Sequence, residues 1–363
     1  MGMLRAALAL AVLLSHLPVA SVKFAGGGLA VQAFFIVSGF YMALVLSRKY
    51  ADTRLFYTNR MLRIFPSYFV MLGIAAVIFF GFGASATATR SMFQLGYQDP
   101  AVALIMAFEN LALVGQELLF WFKLSPEGLF VFDPTNAPPS ETSPVAWQPL
   151  LVPQAWSLSM ELMFYALAPF LVRLSWRWLV GMASASIALR LCGHLLPVDY
   201  GLWQGRFFPT ALFLFILGML AHRLLPVVAA TPKAIGWIVC ALTLAYIVML
   251  PRLGLDPELS RWLTYALLAG AAPFIFNATQ HVAFDRWIGD LSYPIYLTHL
   301  AVIGLVLTYS PPFGPWIAIG GSVALSAALL LLVEHPIDRW RQARVRRGVV
   351  ADSVPPGRVV QTT

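Results

Sequence analysis

Four side chains of this 363-residue sequence set costly chemistry within apolar runs: Arg5 and His16 in the first run, Glu161 in a later one and His299 near the C-terminal end. Ionisable groups in such runs mark functional sites by default. Eleven positions at 100° per residue bring His16 back to within about 20° of Arg5, roughly 16 Å further along one helix face. The pair is either a cation below a working imidazole, or a topology-setting Arg and a His bonded to a neighbouring helix. Ser292, Tyr296 and His299 follow i, i+4, i+7 and share a face, with Tyr293 one turn from Tyr296 and Pro294 bending the helix. This stripe suits a cavity wall or, equally, interhelical hydrogen bonding. His299 would stand about 18 Å from a helix start near Trp287, a depth similar to that of His16.

Glu161, in Trp156-Ser157-Leu158-Ser159-Met160-Glu161, falls about one and a half turns inside its helix and needs a partner. Arg190 and His16 are the candidates. A pair with Arg190 would be structural, unless Arg190 snorkels outward. Arg60 and Arg63, at i and i+3 just ahead of Ile64-Phe65-Pro66, can clamp a phosphate. Their simpler role is ordinary positive-inside charge.

The elements that must position these groups follow from composition. Apolar residues make up 60% and charged ones 11%, with a mean hydropathy of +0.77. A soluble chain carries about 25% charged residues, so a cytosolic enzyme, a secreted domain and a disordered chain are excluded. The chain reads as an all-α polytopic membrane protein. Its net charge of +8 is a topology signal, and no zinc-finger spacing or Arg-rich arm points to nucleic acid. Cys192 and Cys240 read as unpaired apolar filler, and no CxxC, HExxH or Asp-rich run offers a metal site.

About 20 apolar residues span the hydrocarbon core. Candidate spans are 4–21, 28–46, 64–83, 156–172, 178–196, 207–222, 233–250, 262–279, 287–309 and 313–333. Lys and Arg cluster at 47–63, including Lys49, and in the tail from Arg339. Alternate loops carry Arg173 with Arg177, Arg223 with Lys233, and Arg286, while Arg206 falls on the opposite side. The bias predicts about ten crossings, with a retained first helix and both termini in the cytoplasm. The alternation requires 84–155 to begin and end outside. The stretch 101–122, with Glu109, Asn110, Gln116 and Glu117, is therefore an interfacial or re-entrant helix. Proline-rich 123–155 reads as an ordered-to-flexible outer loop. Residues 1–336 form one membrane domain, and 337–363 a basic disordered tail.

With these residues in place, the chain resembles the bacterial acyltransferase type 3 family over residues 4–340. The resemblance rests on Arg5 to His16, on Ala33-Phe34-Phe35-Ile36-Val37-Ser38-Gly39-Phe40, and on Arg60 to Pro66. Trp156 to Tyr165, Leu291 to His299 and Glu334-His335-Pro336 complete it. Gln32 departs from the Asp or Glu the family often has there. The usual residues before Leu4-Arg5 are also missing.

The resemblance implies an acyl-CoA co-substrate, commonly acetyl-CoA, taken from the cytoplasm, and no permanently bound cofactor. Arg5, Arg60 and Arg63 would hold CoA phosphates, and the pantetheine arm would carry the thioester to His16. His16 would act as general base on a hydroxyl of a glycan or other acceptor, or carry the acyl group itself. Glu161 would orient His16, stabilise its cation or bind the acceptor. His299, Ser292, Tyr293, Tyr296 and Trp156 would bind the acceptor or the oxyanion. The rival reading is a proton-coupled transporter or flippase using the His/Glu cluster as a relay. No inverted repeat supports it.

Overall fold

The computed structural model describes residues 1–17, 24–48 and 53–353, and among them the chain is mostly helical. It begins with α1 (Gly2–Ser15), α2 (Gly27–Arg48), α3 (Thr53–Phe82), α4 (Arg90–Gly96) and α5 (Pro100–Ala112). Next come α6 (Trp156–Leu171), α7 (Trp176–Cys192), α8 (Tyr200–Arg206), α9 (Phe208–His222) and α10 (Leu225–Val228). The remainder is α11 (Lys233–Met249), α12 (Pro257–Thr279), α13 (Ala283–Asp290), α14 (Ser292–Tyr309), α15 (Gly314–Leu329) and α16 (His335–Ser353). Among the described residues the strands are β1 (Phe122–Leu124) and β2 (Phe130–Phe132), paired antiparallel as a hairpin.

Among the described residues seven helical stretches are long and apolar enough to cross a membrane, and an eighth if α8 and α9, bent by 48°, form one broken span. The two other expected crossings fall on α1 and α6, of 14 and 16 residues. At 1.5 Å per residue these reach only about 21 and 24 Å, short of a hydrocarbon core of about 30 Å. Helix α1 stops just ahead of Leu17-Pro18, where proline disfavours helix in the residue before it.

The helices form two packed groups. Helix α2 lies on α9, which contacts α7 and α12, while α14 lies on α15 and α3. Between the groups runs α1, against α2 on one side and α13 and α14 on the other. Its first turn is held by Asp285 of α13, which accepts from the Gly2 and Met3 N–H groups at 2.8 and 2.9 Å. This satisfies two amides that a helix N-terminus leaves free and fixes how deep Arg5 and His16 sit. Two glycines let α2 and α9 touch backbone to backbone. A Cβ at Gly39 would lie 1.9 Å from the Phe215 carbonyl oxygen, and one at Gly218 1.9 Å from that of Ile36.

Several expectations change. The stretch 101–122 is helical only as α5, which ends where Leu113 turns left-handed at φ 62°; a 3-10 turn over Gln116–Trp121 follows. Glu109 and Glu117 are buried in protein. The stretch 123–155 is ordered by the hairpin, where Lys123 pairs with Asp133 at 2.9 Å. The Thr135 hydroxyl first, with Lys123 adding to it, holds the Asp133 carboxyl down to about 2. The tail expected to be disordered from 337 is helical as far as Ser353 in α16, while 354–363 and Lys49 lie outside the described residues.

Candidate active site

A cavity of about 360 Å³ opens between α1, α2, α3, α6, α14 and α16. It is lined by Arg5, Arg60, Arg63, Glu161, Ser292, Tyr293 and Tyr296, seven residues that sequence reasoning had singled out. His16, His299 and Trp156 stand outside its wall.

The three arginines are not equivalent. Arg63 is committed: its Nη1 meets Glu334 at 2.6 Å, and Ser67 donates to the same carboxylate at 3.2 Å. The Arg60–Arg63 clamp is thereby corrected, because Glu334 already neutralises one jaw. A π-helical turn at Leu330–Glu334, between α15 and α16, delivers that carboxylate. Arg60 packs over the Phe56 and Tyr165 rings, each 5.8 Å from its guanidinium carbon, and its buried Nε has no partner. Arg5 lies 5.9 Å over Tyr41. Among the described residues neither Arg5 nor Arg60 has a carboxylate partner. Cations that cannot lose their charge thus face the cavity available to an anion.

Glu161 meets neither expected partner. The Ser38 hydroxyl donates to its Oε1 at 2.6 Å and the Tyr165 hydroxyl at 2.5 Å. Its other oxygen has no protein donor among the described residues, so a carboxylate oxygen is offered to the cavity. Ser38 precedes Gly39, so the close α2–α9 approach sets where that hydroxyl points. Arg190 is fully buried, not snorkelled. It donates to the carbonyl and side-chain oxygens of Gln204 at 2.8 and 2.7 Å and to Tyr265 at 3.1 Å. Gln32 accepts from Tyr265 and so belongs to that network, not to the cavity.

The two histidines do meet, with ring centroids 5.1 Å apart. His16 Nδ1 lies 2.9 Å from the Val12 carbonyl, and His299 Nδ1 lies 2.8 Å from that of Tyr296. A carbonyl only accepts, so both Nδ1 atoms carry the proton, and each neutral ring keeps a bare Nε2. His299 Nε2 is buried and unpartnered, whereas His16 is exposed. Tyr296 joins the pair to the cavity: its ring is 5.9 Å from His299, and its hydroxyl donates to the Gln154 carbonyl at 2.5 Å. Ser157 then donates to Tyr296 at 2.7 Å. Tyr293 likewise gives its proton to the Ile64 carbonyl at 2.8 Å, and Ser292 to that of Gly289 at 2.6 Å. As arranged, none of these three hydroxyls is a free donor for an oxyanion.

Sequence reasoning assigned no site role to Ser38, Tyr165, Glu334 or Arg206. Tyr165 stands at i+4 from Glu161, a spacing that could have found it. Arg206, counted as an outer-loop charge, has its guanidinium 3.4 Å over the Trp156 ring and 4.1 Å over that of Phe120. Trp156 is therefore a platform for Arg206. Among the described residues no three His, Cys, Asp or Glu side chains gather as a metal site.

Comparison with known proteins bears on this geometry. A family model described as an acyltransferase domain matches residues 1–334. The exopolysaccharide production protein ExoZ of Rhizobium meliloti (strain 1021) is 26% identical over 328 residues, 88% of this chain and 92% of its own length. Nodulation protein 10 of Rhizobium leguminosarum bv. viciae is 24% identical over 352 residues, 89% of this chain and 85% of its own. A Staphylococcus aureus (strain COL) protein whose name proposes it as an O-acetyltransferase is 22% identical over 317 residues, covering 78% of this chain and 47% of its own. No solved structure matches the chain at a significant level.

Proposed function

Because this chain belongs to the acyltransferase type 3 family, we propose that it moves an acyl group, acetyl in the simplest case, from cytoplasmic acyl-CoA to a hydroxyl of a glycan or other acceptor. The observation that carries this reading is the cavity itself. It presents two unpaired guanidiniums, Arg5 and Arg60, and reaches past Glu161 to Tyr296, which touches the histidine pair. Arg5 and Arg60 would bind the CoA phosphates, with Arg63 held beside them by Glu334. The arm would then run along the roughly 16 Å that separates Arg5 from His16 on their helix. In the proposed orientation of about ten crossings, both termini and the arginines face the cytoplasm, and the acceptor arrives from the other side.

In the proposed step the bare Nε2 of His16 takes the proton of the acceptor hydroxyl as its oxygen attacks the thioester carbonyl. The tetrahedral adduct collapses with loss of the CoA thiolate, which His16 reprotonates. Glu161 offers its free oxygen to an N–H or O–H of bound substrate, while Ser38 and Tyr165 fix the carboxylate's orientation. Glu161→Gln should lower kcat/KM for acyl-CoA about tenfold or more, the worth of one hydrogen bond to a charged group. Unchanged kinetics in that variant would remove Glu161 from the site.

The donor side has its own test. Arg60→Ala should raise the KM for acetyl-CoA by roughly 10–100-fold, as expected for losing charge-assisted contacts. The KM for S-acetylpantetheine, which lacks the nucleotide phosphates, should not move. Equal effects on both donors would place Arg60 elsewhere.

A further inference from the structure

Arg206 is a cation without a counter-ion. It ends α8, and one extended residue, Phe207, separates it from α9 at the 48° bend. Its guanidinium is covered by Trp156 and Phe120 at 3.4 and 4.1 Å, and Phe120 stacks in turn on Trp147 at 5.0 Å. Trp156 and Phe120 are almost fully buried, so the platform is fixed. Among the described residues no hydrogen bond and no ion pair engages the five N–H donors, and Arg206 itself is only half-buried. Stacking masks the faces of a guanidinium but leaves its edge for bidentate recognition of a carboxylate or phosphate.

The position of this edge matters. Trp156 leads directly into Ser157, which bonds Tyr296 at 2.7 Å, and the Tyr296 ring lies 5.9 Å from His299, the partner of His16, so the guanidinium belongs to the histidine end of the site.

We propose that Arg206, on its Trp156–Phe120 platform, is the subsite for an anionic group of the acceptor, so that the acceptor is an acidic glycan unit or a phosphate-linked one. This deepens the acyl-transfer reading and rests on it for the role of His16. Binding at Arg206 anchors the acceptor at the histidine end of the site. A neutral acceptor lacks this anchor.

The test needs no acyl donor. Purified full-length protein is titrated with methyl glucuronoside, glucose 1-phosphate and neutral methyl glucoside, following tryptophan fluorescence and, in parallel, saturation-transfer NMR of the probes. At least one anionic probe should bind about tenfold or more tighter than methyl glucoside, the scale of a charge-assisted contact. Arg206→Gln should erase the preference, and Arg206→Lys, which keeps a charge but loses the fork, should retain part of it. Tighter binding of the glucuronoside identifies a sugar carboxylate; tighter binding of the glucose phosphate identifies a phosphate. No anionic preference in the wild type, or a preference that survives in Arg206→Gln, overturns the proposal. Should Arg206→Gln fail to fold, an unchanged preference in Arg206→Lys overturns it too. Anion preference in a protein that never consumes acyl-CoA would keep this subsite and reject the acyl-transfer reading instead.

Discussion

His16→Ala is expected to lower acyl transfer about 10²–10⁴-fold, the usual contribution of a positioned general base, while leaving the protein folded. The second half of that expectation follows from where His16 sits. It caps α1 after Ser15, is exposed, and its main side-chain bond is to Val12 of its own helix. His299 is the contrasting case, because it is fully buried in α14, where its neighbours Ile295, Leu300 and Ile303 belong to one buried apolar cluster. A variant there mixes lost packing with lost chemistry, so His16 is the cleaner probe. The measurement is product formation under saturating acetyl-CoA, with the folded fraction followed by gel filtration in detergent. Retained activity in His16→Ala would assign the base elsewhere.

The second large effect is structural. Gly39→Ala and Gly218→Ala should each destabilise the protein by amounts at or above the upper end of the ~1–3 kcal/mol typical of overpacking. The added methyl at either position meets a backbone oxygen at 1.9 Å, which no rotamer change relieves. Relief requires α2 and α9 to part, and that would carry Ser38 away from Glu161. Both variants should therefore lose thermal stability and activity together. Gly73→Ala is the matched control: it lies within α3 with nothing within 4 Å of its added Cβ, so thermal unfolding should be unchanged or slightly improved. Wild-type melting in Gly39→Ala and Gly218→Ala would mean that the close helix approach is not what holds the bundle.

These two cases show what a sequence can and cannot carry. Helical spacing placed Arg5, Arg60, Tyr293 and Tyr296 on faces that do line one cavity, because local periodicity determines which residues share a face. The cost of an ionisable group within an apolar run brought out His16 and His299, which lie together. Pairing across the chain was not legible. Arg63 meets Glu334 from 271 positions away, and Glu161 chose two hydroxyls over the cations offered to it. Both outcomes depend on which helices pack, and the apolar runs are too alike to say. Arg206 was invisible for another reason. Charge bias sorts Lys and Arg by side, and only the kink between α8 and α9 shows that this one folds back onto an aromatic platform.

The central claim is that this membrane cavity consumes an acyl thioester. The most direct test is release of free thiol from acetyl-CoA by purified wild-type protein beside His16→Ala, with and without added acceptor glycan. The account predicts thiol release by the wild type, raised by acceptor, and almost none by His16→Ala. Acetyl-CoA that neither binds nor loses its thioester in the presence of wild-type protein would contradict it and return the histidine pair to a role in transport.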